Sequence, residues 1–143
     1  LQLQLDNLVP FARWHPVAPE KVSKIYDTRF YLARAPEGQE ASADETETVR
    51  LFWSDAPATL ARCDVGEGHV IYPTRRNLER LALFSSFDEL AVHAASIPVE
   101  KIQPWFEERD GEQHLCIPTH LGYPVTSESV ASLKRGWVTK VTR

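Results

Sequence analysis

Residues 47–61 read ETVRLFWSDAPATLA, and the hydrophobic period changes within them. The run from Thr48 to Trp53 alternates in the period of two that a strand requires. After Trp53 the spacing lengthens to about 3.6, where Ser54 is placed to cap a helix and Pro57 falls in its first turn. A strand feeding a helix in this way predicts a mixed α/β chain.

The flanking segments extend that reading. Upstream, NLVPFARW (7–14) is an apolar and aromatic run in which Pro10 predicts an edge or bulged strand. SKIYDTRFYLARA (23–35) is the strongest strand. Tyr26, Thr28, Phe30 and Leu32 fall on one face, and Ile25, Asp27, Arg29, Tyr31 and Ala33 on the other. PEGQEASADETE (36–47) is acidic, small and broken by Pro and Gly, hence a loop.

Downstream, glycines in VGEGHVIYP close the first helix, and a second is expected from Thr74 with Leu78, Leu81 and Ala82 on one face. Ser86 and Glu89 form a capping-box pattern for a third, carrying Leu90, Val92 and Ala94. Asp110-Gly111, set between apolar runs, predicts a hairpin. Residues 119–143 read as a loop followed by a short helix or tail, leaving 1–118 as the core elements of a single domain.

Composition narrows the function classes. The net charge is −4 over 143 residues, which argues against a general nucleic-acid or membrane surface and makes any anion site local. No apolar run approaches the ~18 residues of a membrane span. Two cysteines without metal or redox spacing point to reduced thiols. A soluble, cytoplasmic protein is the expectation. Methionine is absent throughout, position 1 included, so we expect this chain to be a C-terminal portion.

Self-contained catalytic motifs are missing: there is no Gly-rich phosphate loop, HExxH or GxSxG. The five histidines are scattered over different elements. Two cationic constellations stand out. Asp27 and Arg29 share a strand face, either as a solvated ion pair or as a surface toward an anion. Thr74, Arg75 and Arg76 open a helix, where the dipole is already positive and added cations are unfavourable. Two offsets are open, a bound phosphate or the acidic loop from Glu40 to Glu47.

LVPFARW, YDTRFYLARAP, ETVRLFWSDAPATLA and PTRRNLERLALFSSFDELA together resemble the second half of Nudix hydrolases. Within them the resemblance is to the coenzyme A diphosphatase-like subgroup, the nucleoside-diphosphate-linked-moiety hydrolase 19 type, over roughly residues 5–118. It implies an α/β/α sandwich around a mixed sheet, and Mg²⁺- or Mn²⁺-dependent cleavage of a nucleoside-diphosphate-linked substrate. The Nudix signature itself is absent from this sequence. Its carboxylates, on adjacent turns of one helix, hold the divalent ions.

The resemblance therefore implies a chain that supplies sheet and substrate-side residues and is inactive alone. Asp27, Arg29, Thr74, Arg75 and Arg76 are the implied contacts to a diphosphate-containing small molecule. Glu45 or Glu47 is implied as an aid to metal or water, because some family members use a carboxylate outside the signature. The implied partner is the other half of the domain, and open sheet edges favour pairing with that half or with a second copy. The competing class is a catalytically inactive Nudix-like module for ligand binding or protein interaction.

Overall fold

The computed structural model describes residues 7–15, 25–38 and 52–133. Two strands come first, β1 (Val9–Trp14) and β2 (Thr28–Leu32), followed by three helices, α1 (Ala56–Asp64), α2 (Tyr72–Leu81) and α3 (Phe87–Ser96). Four strands follow: β3 (Lys101–Ile102), β4 (Trp105–Arg109), β5 (Glu112–Cys116) and β6 (Ser127–Ser129). They form two three-stranded sheets, ordered β2-β1-β3 and β4-β5-β6. The α/β class expected from the change of period is the class observed.

The first sheet is mixed, since β1 runs antiparallel to β2 and parallel to β3. A register shift between Pro10 and Ala12 supplies the expected bulge, but β1 is the central strand and not an edge. The two facts are compatible because β3 pairs only with Arg13 and Trp14. Pro10, with no N–H, has no bond to supply on that side.

On β2, Phe30 and Leu32 pack against the core, while Arg29 and Tyr31 face solvent. Residues 48–51 of the expected strand lie outside the described residues. Phe52 and Trp53 belong to no strand and are exposed.

The helix boundaries depart from expectation in instructive ways. Asp55, not Ser54, caps α1, its carboxylate accepting from Ala58 N at 2.7 Å, while the Ser54 hydroxyl accepts from Thr59 Oγ1 at 2.9 Å. Helix α2 begins at Tyr72 rather than Thr74, with Ile71 at its N-cap and no side-chain cap.

Its inward face is also a correction. Tyr72, Arg76, Asn77 and Arg80 are buried, whereas Leu78, Leu81 and Ala82 are only half-buried. Aromatic rings make this tolerable: the Arg76 guanidinium lies 5.0 Å from the Tyr72 ring centre, and that of Arg80 lies 4.3 Å from Phe11 and 5.3 Å from Tyr123. On α3, Ser86 caps Glu89 N, but the Glu89 carboxylate accepts from Ser85 and not from Ser86. Ala94 is buried and Leu90 packs beside it, whereas Val92 is exposed.

The hairpin is as expected. Asp110 (φ 50°) and Gly111 (φ 79°) form its two-residue turn, both in the left-handed region that suits the twist of paired strands. The segment after Pro118, expected as a loop followed by a short helix or tail, places Leu121 and Tyr123 in the core, adds β6 to β5, and is helical over 130–133. Residues 134–143 lie outside the described residues.

Trp14 centres the core, edge-on to Tyr72 and Tyr123 at 6.0 and 5.8 Å. Its Nε1 donates to Asn77 Oδ1 and the Tyr123 hydroxyl, each at 3.3 Å. Phe84 is half-buried against the His93 ring, and Trp53 is exposed.

Candidate functional site

Arg75 and Arg76 are adjacent, but α2 turns them to different surroundings. The Arg75 guanidinium donates to Asp64 at 2.7 Å, at the end of α1, and lies 3.2 Å from Glu79. Arg76 is 1% exposed and donates through Nη2 to Glu79 at 2.9 Å and to Glu128 of β6 at 2.7 Å. The cations at this helix start are therefore offset by carboxylates of α1, α2 and β6. A bound phosphate is not needed to explain them, and Glu40–Glu47, the other offset considered, lies outside the described residues.

Burial pushes the Glu79 carboxyl above its ordinary range, as does Glu128 more weakly, against the pull of Arg76 and Arg75. Thr74 sits half-buried in the first turn of α2.

Deeper along the same face, Arg80 is 2% exposed and donates to the Phe11 carbonyl at 3.0 Å and to His93 Nε2 at 3.2 Å. Guanidinium is never an acceptor, so His93 must accept, which requires the neutral ring with its proton on Nδ1. Burial first, and the Arg80 charge second, hold the His93 pKa below its ordinary value. Burial likewise lifts the Tyr72 phenol to about 12.

The other constellation is on β1 and β2. Arg13 and Arg29 are direct cross-strand partners, so their side chains leave the sheet on one face. Trp14 points to the opposite face, toward Asn77 of α2, which sets the Arg13 and Arg29 side away from the helices. Asp27 does not hydrogen-bond to Arg29. Both of its oxygens accept from Arg13, from Nε at 2.9 Å and Nη2 at 2.6 Å. That bidentate bond holds the Asp27 carboxyl below its ordinary value, with Arg29 a smaller contributor.

A cavity of about 300 Å³ opens here, lined by Arg13, Arg29, Tyr31, Pro10 and Val99 among others. Arg13 was invisible as a candidate in the sequence, because a cross-strand partner is defined only once the register is known.

The structure thus separates the implied contacts into two places. Asp27 and Arg29 lie on the outer face of the mixed sheet. Arg75 and Arg76 hold α2 to its neighbours. Glu45 and Glu47 lie outside the described residues. Among the described residues, no group of three or more His, Cys, Asp or Glu is placed to hold a metal ion. No described helix is long and apolar enough to cross a membrane, and Cys63 and Cys116 are both free thiols. No protein-family model, curated protein or solved structure matches this chain.

Proposed function

We propose that this chain is the substrate-side portion of a Nudix-type hydrolase of a nucleoside-diphosphate-linked compound, with coenzyme A and its acyl derivatives the favoured class. The supporting observation is the mixed sheet with α2 and α3 on one face and, among the described residues, no helix on the cationic opposite face that carries Asp27 and Arg29. Two layers of an α/β/α sandwich would look like this. In this reading, the third layer and the metal-binding carboxylates come from another part of the protein or from another chain.

In this reading the carboxylates that hold Mg²⁺ or Mn²⁺ lie outside the described residues, among which no group of three or more His, Cys, Asp or Glu is placed to hold a metal ion. What this chain contributes is a face that binds and orients an anion while the helices keep the sheet rigid. Arg75 and Arg76 are assigned to that rigidity and not to phosphate contact.

A direct test is turnover of coenzyme A, acyl-coenzyme A and nucleotide sugars with Mg²⁺. The 143-residue chain should show none, and the same chain supplemented with a segment that carries the Nudix carboxylates should release the nucleoside monophosphate or 3′,5′-bisphosphate product. Turnover by the chain alone would overturn the division of labour. Inactivity of the supplemented chain on every compound would favour the ligand-binding module instead.

A further inference from the structure

The second sheet carries a polar face that diphosphate chemistry does not use. Side chains alternate along β5 and β6, so His114, Cys116 and Ser127 leave the sheet opposite Leu115, which packs on the core, and Glu128, which holds Arg76. Register then brings them together. Cys116 pairs with Ser127 of β6 and with Trp105 of β4, while His114 pairs with Glu107.

Across the diagonal, His114 Nδ1 lies 3.2 Å from the Ser127 hydroxyl oxygen, and the Cys116 thiol donates to that same oxygen at 3.6 Å. The hydroxyl thus receives one hydrogen bond from the thiol and can give its own proton to Nδ1, with the ring protonated on Nε2. His114 and Ser127 are half-buried and Trp105 is 43% exposed, so a small molecule can reach them. The bond from Arg109 holds the Glu107 carboxyl below its ordinary range, which keeps a negative charge across from the imidazole.

We infer that Ser127 is a nucleophile toward carboxylic esters, with His114 as its general base and Trp105 as the apolar shelf for the ester. A hydroxyl within hydrogen-bond reach of a base, itself beside a carboxylate, is the arrangement that makes serine nucleophilic. The Ser127 oxygen bonds to the acyl carbon while its proton passes to His114 Nδ1, and the departing alkoxide takes that proton as the C–O bond breaks. Water, deprotonated by His114, then attacks the acyl carbon. The acid leaves, and the Ser127 oxygen recovers its proton from His114. Glu107 acts as a positioning residue that favours the charged imidazole. The pair is 13 residues apart on different strands, so no local motif marks it. This activity is independent of the proposed diphosphate hydrolysis.

The test is p-nitrophenyl acetate with the 143-residue chain in EDTA, read by p-nitrophenolate release and by peptide mapping of the acetyl group. The acetyl group should map to Ser127, and Ser127→Ala should abolish it there. His114→Gln should slow acylation about a hundredfold, the scale of a lost general base. Glu107→Gln should slow it less and move the acid limb of the rate profile to lower pH, because the imidazolium loses its negative neighbour. Trp105→Ala should slow the butyrate ester more than the acetate.

Acetyl groups on lysines alone, or acylation of His114→Gln at the parent's rate, would overturn the site. Should Ser127→Ala fail to fold, the mapping in the parent and the His114→Gln rate still decide. Mg²⁺-dependent diphosphatase turnover, present or absent, leaves this result standing.

Discussion

Arg75 and Arg76 show how strongly a side chain's contribution depends on its solvent exposure. The Arg75 side chain is 30% exposed and its partner Asp64 58%, so water screens the pair and Arg75→Ala should cost less than ~1 kcal/mol. Arg76 is sealed between Glu79 and Glu128. Arg76→Ala takes the cation from Glu128 and leaves Glu79 with Arg75 alone, and should cost about 3 kcal/mol. Urea denaturation of the two variants measures the contrast, and similar values would show that Arg76 is not the keystone of this contact. From the sequence, both residues read only as cations at a helix start. Their difference arises from Glu128, which lies 52 residues away in the chain.

Among the elements, those defined by local chemistry were legible. The Asp110-Gly111 turn is set by backbone conformations available to those residue types, and it forms where the dipeptide stands. Gly111→Ala forces an L side chain to φ 79° and should cost about 1 kcal/mol, whereas Gly111→Asn should recover much of it, because Asn tolerates that region. Urea midpoints compare the two, and equal losses would mean that the turn, not the φ value, carries the cost.

The capping of α3 by Ser86 was legible for the same local reason. The inward face of α2 was not. Leu78, Leu81 and Ala82 form the apolar stripe expected to face the core, yet Arg76, Asn77 and Arg80 are more buried. The rings and carbonyl that receive them come from β1, the N-terminus of α2 and the loop before β6.

On the scale of the whole molecule, the contact of α2 with α3 and the loop at Gly122 passes through His93. A Cβ on Gly122 would come within 2.8 Å of His93 Nε2, so the backbone lies tight against the ring that accepts from Arg80. The folded state binds a proton on His93 less readily than the unfolded chain does. Below the ordinary value of 6.5 the unfolded state therefore takes up more protons, and this contribution to stability falls as pH falls.

Glu79, raised by burial, acts in the opposite sense, losing stability as pH rises above 4.5, and Asp27 loses its contribution as pH falls below 3.8. The useful comparison is thus between proteins. His93→Gln keeps an acceptor for Arg80 without titrating, and its urea midpoint should fall less than the parent's between about pH 7 and about pH 5. Parallel curves would exclude His93 as the linked group.

Periodicity and turn chemistry alone determined the α/β class, the hairpin, the C-terminal end of α1 and the alternation of β2, because each depends on interactions between residues close in sequence. Which arginines carry charge into the core, and which meet across a strand pair, only the tertiary structure decided. Register and helix rotation depend on partners tens of residues away, so the pairing of Arg13 with Arg29 and the sealing of Arg76 by Glu128 have no local signature.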